Sequence, residues 1–401
     1  CFLNDMIHQT TSAVKNQKLF AFAVTVSIFL PYYLTGVVIA AGAAYVLWNR
    51  ERRAYAMAEP HSRLIVTAVF AWTMVSLIYQ NFYGVGVSLL LTCALLAAFY
   101  MRSFMTHKLF NSLMDVACLC SLSSTAVGFM QYVYLWGMNL EPRVESVCFN
   151  PNYYGMLMEF MALVALYRAF ANPKRRVFYG IVMASAMLGI YFCGSISAAA
   201  VVCAGVLLFF LLRGRYKYFW TFAALGTVAA IAALTVLPII FPRAGDADHS
   251  MDQRLSIWGT ALQGIQMHPL FGQGPMTYET IYMQFNGYAT HHAHNLIIDT
   301  VLNYGIVGAS LIGFYAFCQL RTLITRIRRG ISSSTGILLA VLAFMTLIHG
   351  MTDVTVLWLQ TGMFFLVVYS SIGIRTETAV VVPSLAGQAI PTTQSARSQR
   401  G

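Results

Sequence analysis

Charge is what this chain has least of. Only 10% of its 401 residues are Asp, Glu, Lys or Arg, against 58% hydrophobic ones. A soluble domain of this length covers its surface with far more charge, so a soluble enzyme is excluded and a polytopic helical membrane protein is implied. Acids are scarcer still: 14 Asp and Glu stand against 25 Lys and Arg, a formal net charge of +11. In a soluble chain that excess would suggest nucleic acid. Here the basic residues form short clusters between apolar runs, where they meet anionic headgroups, so no nucleic-acid partner is expected and the bilayer is. A disulfide framework is also missing. Of the eight cysteines, Cys93, Cys118, Cys120, Cys203 and Cys318 lie within apolar runs, and only Cys148 falls in an outward loop. Cys118 and Cys120, two apart, cannot share a helical face and read as small packing residues. No internal repeat is visible, which weighs against a transporter built from duplicated halves. No cleavable signal pattern precedes Cys1, and a truncated amino terminus is the expectation.

What is present is a series of long apolar runs. The first, 19–48, is broken by Pro31 and flanked by basic residues on both sides (Lys15 and Lys18; Arg50, Arg52 and Arg53), which predicts a hairpin of two short helices. Further spans follow at 64–80, 84–101, 109–136, 152–170, 177–194, 197–212, 218–241, 295–318, 335–351 and 354–374, given the roughly 20 residues a bilayer requires. The fold class is therefore an all-α polytopic membrane protein of about twelve transmembrane helices with one large extracytoplasmic loop. The membrane domain spans 1–382, its loop 242–294, and the polar tail 383–401 is expected to be a disordered cytoplasmic segment.

Every second loop is basic, which places both termini in the cytoplasm. All but Arg143, Arg243 and Arg254 of the 25 Lys and Arg residues then lie on the inner side. Three guanidinium groups on the outer face mark a site that needs fixed positive charge. Two outward segments exceed simple turns, 137–152 and 242–294. In the second, Leu255, Trp258, Leu262 and Ile265 recur at helical spacing, and Pro269, Gly272, Gly274 and Pro275 end that helix.

Most histidines are outward too: His249, His268, His291, His292, His294 and His349. His294 precedes Asn295, a natural cap, and so sits where a membrane helix begins. It is either an interfacial histidine satisfied by headgroups and loop carbonyls, or a functional one. His292 and His294 would diverge at a helix start, and no third ligand sits at standard spacing, so no metal is assigned. Trp258, Phe271, Tyr278, Tyr282, Phe285 and Tyr288 either stack on sugar rings or form an interfacial belt. Asp353 lies at an outward helix end, paired with an arginine or facing water; Glu159 and Asp299 are placed to line a cavity, and Asp115 to snorkel or pair locally.

The order of these motifs resembles a known family. Arg254-Leu255-Ser256-Ile257-Trp258, His268-Pro269-Leu270-Phe271-Gly272-Gln273-Gly274, His292-Ala293-His294-Asn295 and Gly305-Ile306-Val307-Gly308 look like the signature of the bacterial O-antigen ligase and polymerase superfamily. Asn150-Pro151-Asn152-Tyr153 after Arg143, and His349-Gly350-Met351-Thr352-Asp353 near the end, agree with it. Two places depart: Asn303 and Tyr304 stand where many members have an acid, and Ile196 where many have arginine.

The resemblance implies a glycosyltransferase of the bacterial cytoplasmic membrane. It would move a glycan from an undecaprenyl-diphosphate carrier to a glycan or lipid acceptor hydroxyl outside that membrane, without cofactor. It carries a diphosphate-binding role onto Arg254 and Arg143, with Arg243 assisting or merely flanking, and the catalytic role onto His294. Trp258, Tyr278, Asn295 and Asp353 are the expected glycan contacts. Ligase, moving chains onto a lipopolysaccharide core, and polymerase stay open. The rivals are a lipid-linked oligosaccharide flippase and a non-catalytic envelope-assembly protein; scarce midplane charge favours the enzyme.

Overall fold

Pro31 ends a helix because it has no amide hydrogen and its ring crowds the preceding turn. In the computed structural model, which describes residues 2–140, 143–240 and 247–374 (backbone alone at 2–13, 229–240 and 247–249), α1 (Phe2–Ser27) stops before it and α2 (Tyr32–Trp48) starts after it. Asn49 then accepts hydrogen bonds from the amides of Glu51 and Arg52 and opens α3 (Arg50–Ala56), bent 112° from α2. The bundle continues through α4 (Ser62–Ile78), α5 (Phe82–Phe104), α6 (His107–Gly137), α7 (Pro151–Ala171), α8 (Arg176–Cys193), α9 (Ile196–Leu212) and α10 (Tyr216–Ile240). After α11 (Ala247–Met267) and α12 (Thr277–Ile281), it closes with α13 (Leu296–Arg328), α14 (Ser333–Gly350) and α15 (Leu359–Tyr369). There is no strand among the described residues.

Side-chain caps set several of these starts. Asn81, Thr106, Asn150 and Ser195 each accept a hydrogen bond from an otherwise unpaired amide in the first turn. The twelve spans expected from the sequence each overlap a helix. Among the described residues, six helices are long and apolar enough to cross a membrane, or seven if α2 and α3 form one bent span; α4, α9 and α15 are shorter apolar helices. At the centre stands α7, 83% buried over its apolar window and packed by α6, α8, α9, α14 and α15.

At one end of the bundle, basic residues are tied down instead of solvated. Arg102, only 4% exposed, donates to Glu59 at 2.9 Å, to Gln319 at 3.0 Å and to the Tyr369 hydroxyl. Arg168 meets Asp115 through both Nε (2.6 Å) and Nη2 (2.9 Å), and the Tyr179 hydroxyl donates to the same carboxylate at 2.7 Å. Asp115 thus pairs across helices, with α7, and not with a neighbour on its own.

The other end is held by turns that bind one another. Asn81 donates to the carbonyls of Gln273 and Pro275, and the Trp72 indole to that of Phe271. Gln360, fully buried, donates to the carbonyls of Ile28, Leu30 and Val147 at 3.1, 2.8 and 3.2 Å, so the turn before α2 and the turn before α7 meet on one amide at the start of α15. Over this end folds a second small core of Ile257, Ala261, Tyr278, Ile281, Ala293 and Leu302. The stripe expected on α11 is shifted: Leu255 and Leu262 are about half exposed, while Ile257 and Ala261 are buried. The cause is size. A β-carbon on Gly264 would stand 2.3 Å from Ile281 Cδ1, so the small Ala261–Gly264 face is the one that approaches closely enough to pack.

α13 is broken inside the bundle. Gly305 adopts φ +62, ψ −176, and the freed amides of Ile306 and Val307 donate to the carbonyls of Pro269 and Leu270 at 2.8 and 3.0 Å. The His268–Gly274 motif therefore caps the second half of α13. A β-carbon at 305 would lie 2.3 Å from the Leu270 carbonyl, so glycine is required for both its positive φ and the contact. The stretches 241–246, which contains Arg243 of the large loop, and 375–401, which contains the tail, lie outside the described residues.

Candidate functional site

The site forms where the turn before α13 meets the turn after α14. Asn295 caps α13, its Oδ1 accepting the amides of Ile297 and Ile298 at 3.1 Å, while its Nδ2 donates to the Met351 carbonyl at 3.3 Å. Asp299, one turn in, accepts the Ala293 amide at 2.9 Å and the Asn303 side chain at 2.7 Å. These contacts fold the histidine turn back over the helix start. They hold His294 at φ 46, a left-handed conformation that a β-carbon disfavours.

His294 Nδ1 lies 3.1 Å from Asp353 Oδ1, and Nε2 lies 3.1 Å from the Thr290 hydroxyl. Asp353 is 2% exposed, and its oxygens also accept the Val354 amide (2.7 Å) and Asn152 Nδ2 (2.6 Å). Burial alone would raise this carboxyl; the His294 hydrogen bond and the nearby His292, His294 and His349 rings outweigh it and hold the acid far below its usual range. An ionised carboxylate only accepts, so the proton of neutral His294 sits on Nδ1 and Nε2 carries a free lone pair, which the Thr290 hydroxyl now faces.

His292 lies alongside, its ring centroid 4.4 Å from that of His294. Its Nδ1 accepts the His294 amide at 3.4 Å, and its Nε2 is 3.1 Å from the Tyr153 hydroxyl and 3.6 Å from Asp353. Burial, aided by His294 and His291 and opposed by Asp353, lowers it to about 4 and keeps it neutral. The two histidines therefore converge, contrary to the divergence expected of their spacing, because the left-handed turn at His294 swings the rings together. With Asp353 as a third donor brought from elsewhere in the chain, ligand atoms of the three lie within 4.8 Å of one another, near enough to hold one divalent ion.

Positive charge approaches from two sides. Arg143 is exposed and donates to Asn152 Oδ1 at 3.1 Å, so it joins Asp353 through one amide. Arg254, half-buried on α11, has no hydrogen-bond or carboxylate partner among the described residues and acts electrostatically on His349. Arg243 is outside the described residues. One turn below Asp353, His349 pairs with Glu159 at 3.1 Å, both sealed inside the bundle, and its carbonyl accepts the Thr352 and Asp353 amides.

The structure thus brings together His294, Asn295, Asp353 and Arg143 from among the expected site residues. Asp353 is neither in water nor against an arginine; it is buried between a histidine and an asparagine. Tyr278 does not present a sugar-stacking face. It is fully buried, and its hydroxyl donates to the Tyr288 carbonyl at 3.1 Å, because the loop has its own core. Trp258 packs against the same core. Glu159 is engaged by His349, and Asp299 by the Ala293 amide and the Asn303 side chain. Thr290 and the bridging role of Asn152 were missed, although Asn152 lies inside a motif read from the sequence.

Residues 180–313 match the family model for O-antigen ligase. The match covers about a third of the chain and supports a resemblance to the O-antigen ligase-like superfamily. Comparison with curated proteins finds no match. The matched segment runs from α8 to the middle of α13 and includes Arg254, His292, His294 and Asn295. Arg143, Asn152, His349 and Asp353 lie outside it, and they reach the ligase-family histidines only through the fold.

Proposed function

We propose that this O-antigen ligase-like protein is a membrane glycosyltransferase that moves a glycan from undecaprenyl diphosphate to an acceptor hydroxyl on the outer face of the bacterial cytoplasmic membrane. About twelve spans, both termini cytoplasmic and the histidine end outward complete the reading; it rests on the alternation of basic loops. The observation that carries it is the His294–Asp353 pair, which leaves Nε2 as an acceptor that only the Thr290 hydroxyl meets among the described residues.

In this reading the acceptor hydroxyl takes the place of the Thr290 hydroxyl on Nε2. His294 removes its proton as the oxygen bonds to the anomeric carbon. The bond from that carbon to the diphosphate oxygen breaks, and the diphosphate leaves with the electron pair. Asp353 stabilises the imidazolium that results, as an ionised partner on Nδ1. Arg254 and Arg143 neutralise the diphosphate, with Arg243 as a third cation; charge-assisted bonds of this kind contribute roughly 1.5–3 kcal/mol each. One displacement inverts the anomeric centre.

A second reading has one observation behind it: a divalent ion on His292, His294 and Asp353 would polarise the acceptor hydroxyl in place of the imidazole base. One assay separates the two. Purified protein receives a lipid-diphosphate oligosaccharide and each candidate acceptor, with and without a chelator, and released carrier diphosphate is measured. Transfer that survives chelation supports the imidazole base, and its loss with recovery on added zinc supports the ion. No release with any acceptor defeats the transferase reading.

A further inference from the structure

Beside the histidines stands a stack of aromatic rings that the proposed mechanism does not use. Tyr153, whose hydroxyl meets His292, lies flat against Trp358 at 4.8 Å and 17° between ring planes. Trp358 in turn stacks on Phe149 at 5.4 Å and 28°. Tyr32 closes the edge, 5.6 Å from Phe149 and 5.7 Å from Trp358. The stack opens outward: Tyr153 is 6% exposed and Phe149 is 45% exposed.

Its parts come from three turns far apart in sequence, and Gln360 fastens those turns through the Ile28, Leu30 and Val147 carbonyls. A ring that only anchors a chain among headgroups needs no such fastening and no stacked partner. Two polar features belong to the same cluster. The Trp358 indole N–H is shielded from solvent and has no hydrogen-bond partner among the described residues. His291, beside Phe149 at 6.3 Å, pairs with Glu279 at 3.0 Å and remains exposed. A flat apolar face with an ionisable pair at its edge fits a ligand with one apolar face and a periphery of hydroxyls. A pyranose ring is such a ligand, and the stack ends on the histidines.

We propose that the open face of Phe149, backed by Trp358, is a sugar-binding platform that seats a pyranose ring of the glycan at the outer end of the stack whose inner end meets His292. The proposal rests on the transferase reading of that pair. The donor's glycan and the acceptor's offer the same chemistry, so the test has an arm for each.

The test compares the wild type with Phe149→Leu, which keeps an apolar anchor but loses the flat ring, and Phe149→Tyr, which restores the ring. Binding is measured by calorimetry in lipid nanodiscs. The probes are oligosaccharides cut from the producing cell's own surface polysaccharide and freed of lipid. The platform predicts that Phe149→Leu weakens binding by about 3- to 10-fold and that Phe149→Tyr stays within about 2-fold of wild type. In the transfer assay, Phe149→Leu should raise KM by a similar factor with kcat unchanged. A rise for the lipid-linked donor places the donor's sugar on the ring, and a rise for the acceptor places the acceptor's. Saccharide binding that Phe149→Leu leaves intact, or no binding to the wild type above empty nanodiscs, overturns the platform. Binding needs no turnover, so the two readings fail separately. A protein that binds saccharide through Phe149 yet transfers nothing keeps the platform and loses the transferase. Transfer by Phe149→Leu at wild-type KM for both substrates does the reverse.

Discussion

Replacing Asp353 with asparagine changes one oxygen to an amide nitrogen in a site where three donors converge on the carboxylate. Those donors are His294 Nδ1–H, Asn152 Nδ2–H and the Val354 amide. An asparagine has one acceptor oxygen for all of them. Kept toward His294, that oxygen leaves an NH2 facing Asn152 Nδ2 at what is now 2.6 Å, two donors in contact. Relief requires Asn152 to flip, which breaks its bond from Arg143. Turned the other way, the amide donates to His294 Nδ1 and drives the histidine proton onto Nε2, which removes the base. The first arrangement leaves a buried donor unmatched, at about 1–3 kcal/mol, and the second abolishes general-base catalysis, worth roughly 10²–10⁴ in rate. Asp353→Asn should therefore lower kcat by roughly 10²–10⁴ with KM for the lipid-linked donor little changed. Steady-state release of carrier diphosphate measures both constants, and size-exclusion in detergent checks that the variant remains folded. A folded Asp353→Asn protein with kcat within about 3-fold of wild type would refute the orienting role.

Three further outcomes follow from the same geometry. Arg254→Lys keeps the charge but loses the planar fork, and should raise KM for the lipid-linked donor by about 10-fold or more, read in the same kinetic assay. Gly305→Ala places a β-carbon in a left-handed backbone against the Leu270 carbonyl; a loss of at least about 1–3 kcal/mol should appear as poor yield and early thermal unfolding. His292 is held near 4 when folded, against an ordinary 6.5. Its contribution is thus complete above about 6.5 and declines as pH falls toward about 4, by about 2 kcal/mol between pH 7 and 5. Thermal unfolding of His292→Gln should fall less over that interval than the wild type does; equal falls would remove His292 as the cause.

Much of the fold was readable because membrane helices announce themselves by length and apolarity. Pro31 split a run that then formed two helices, and each of the twelve expected spans overlaps one. The number that cross is less legible, since short apolar helices such as α4, α9 and α15 do not reach the length of a span by themselves. The break in α13 was hidden: Gly305 stood inside a recognised motif, but only the arriving Pro269 and Leu270 carbonyls reveal why the helix can stop there. His294 was legible from its place before the Asn295 cap. Asp353 was visible as an acid at a helix end, while its partner was not, because that contact joins turns 59 residues apart. Tyr278 was misjudged for a physical reason. An extramembrane loop reads as solvent-facing until enough of its apolar residues find one another to bury a tyrosine. The aromatic stack escaped notice because its rings arrive from three distant turns, and periodicity records only neighbours on one helix.

The central claim is that the His294 imidazole takes the acceptor's proton, and a single-turnover comparison addresses it most directly. Wild type and His294→Ala, each saturated with lipid-diphosphate oligosaccharide and mixed with acceptor, are followed for release of the carrier diphosphate. The account predicts equal donor binding and a release rate roughly 10²–10⁴ lower in the variant. Release at the wild-type rate from His294→Ala would contradict it.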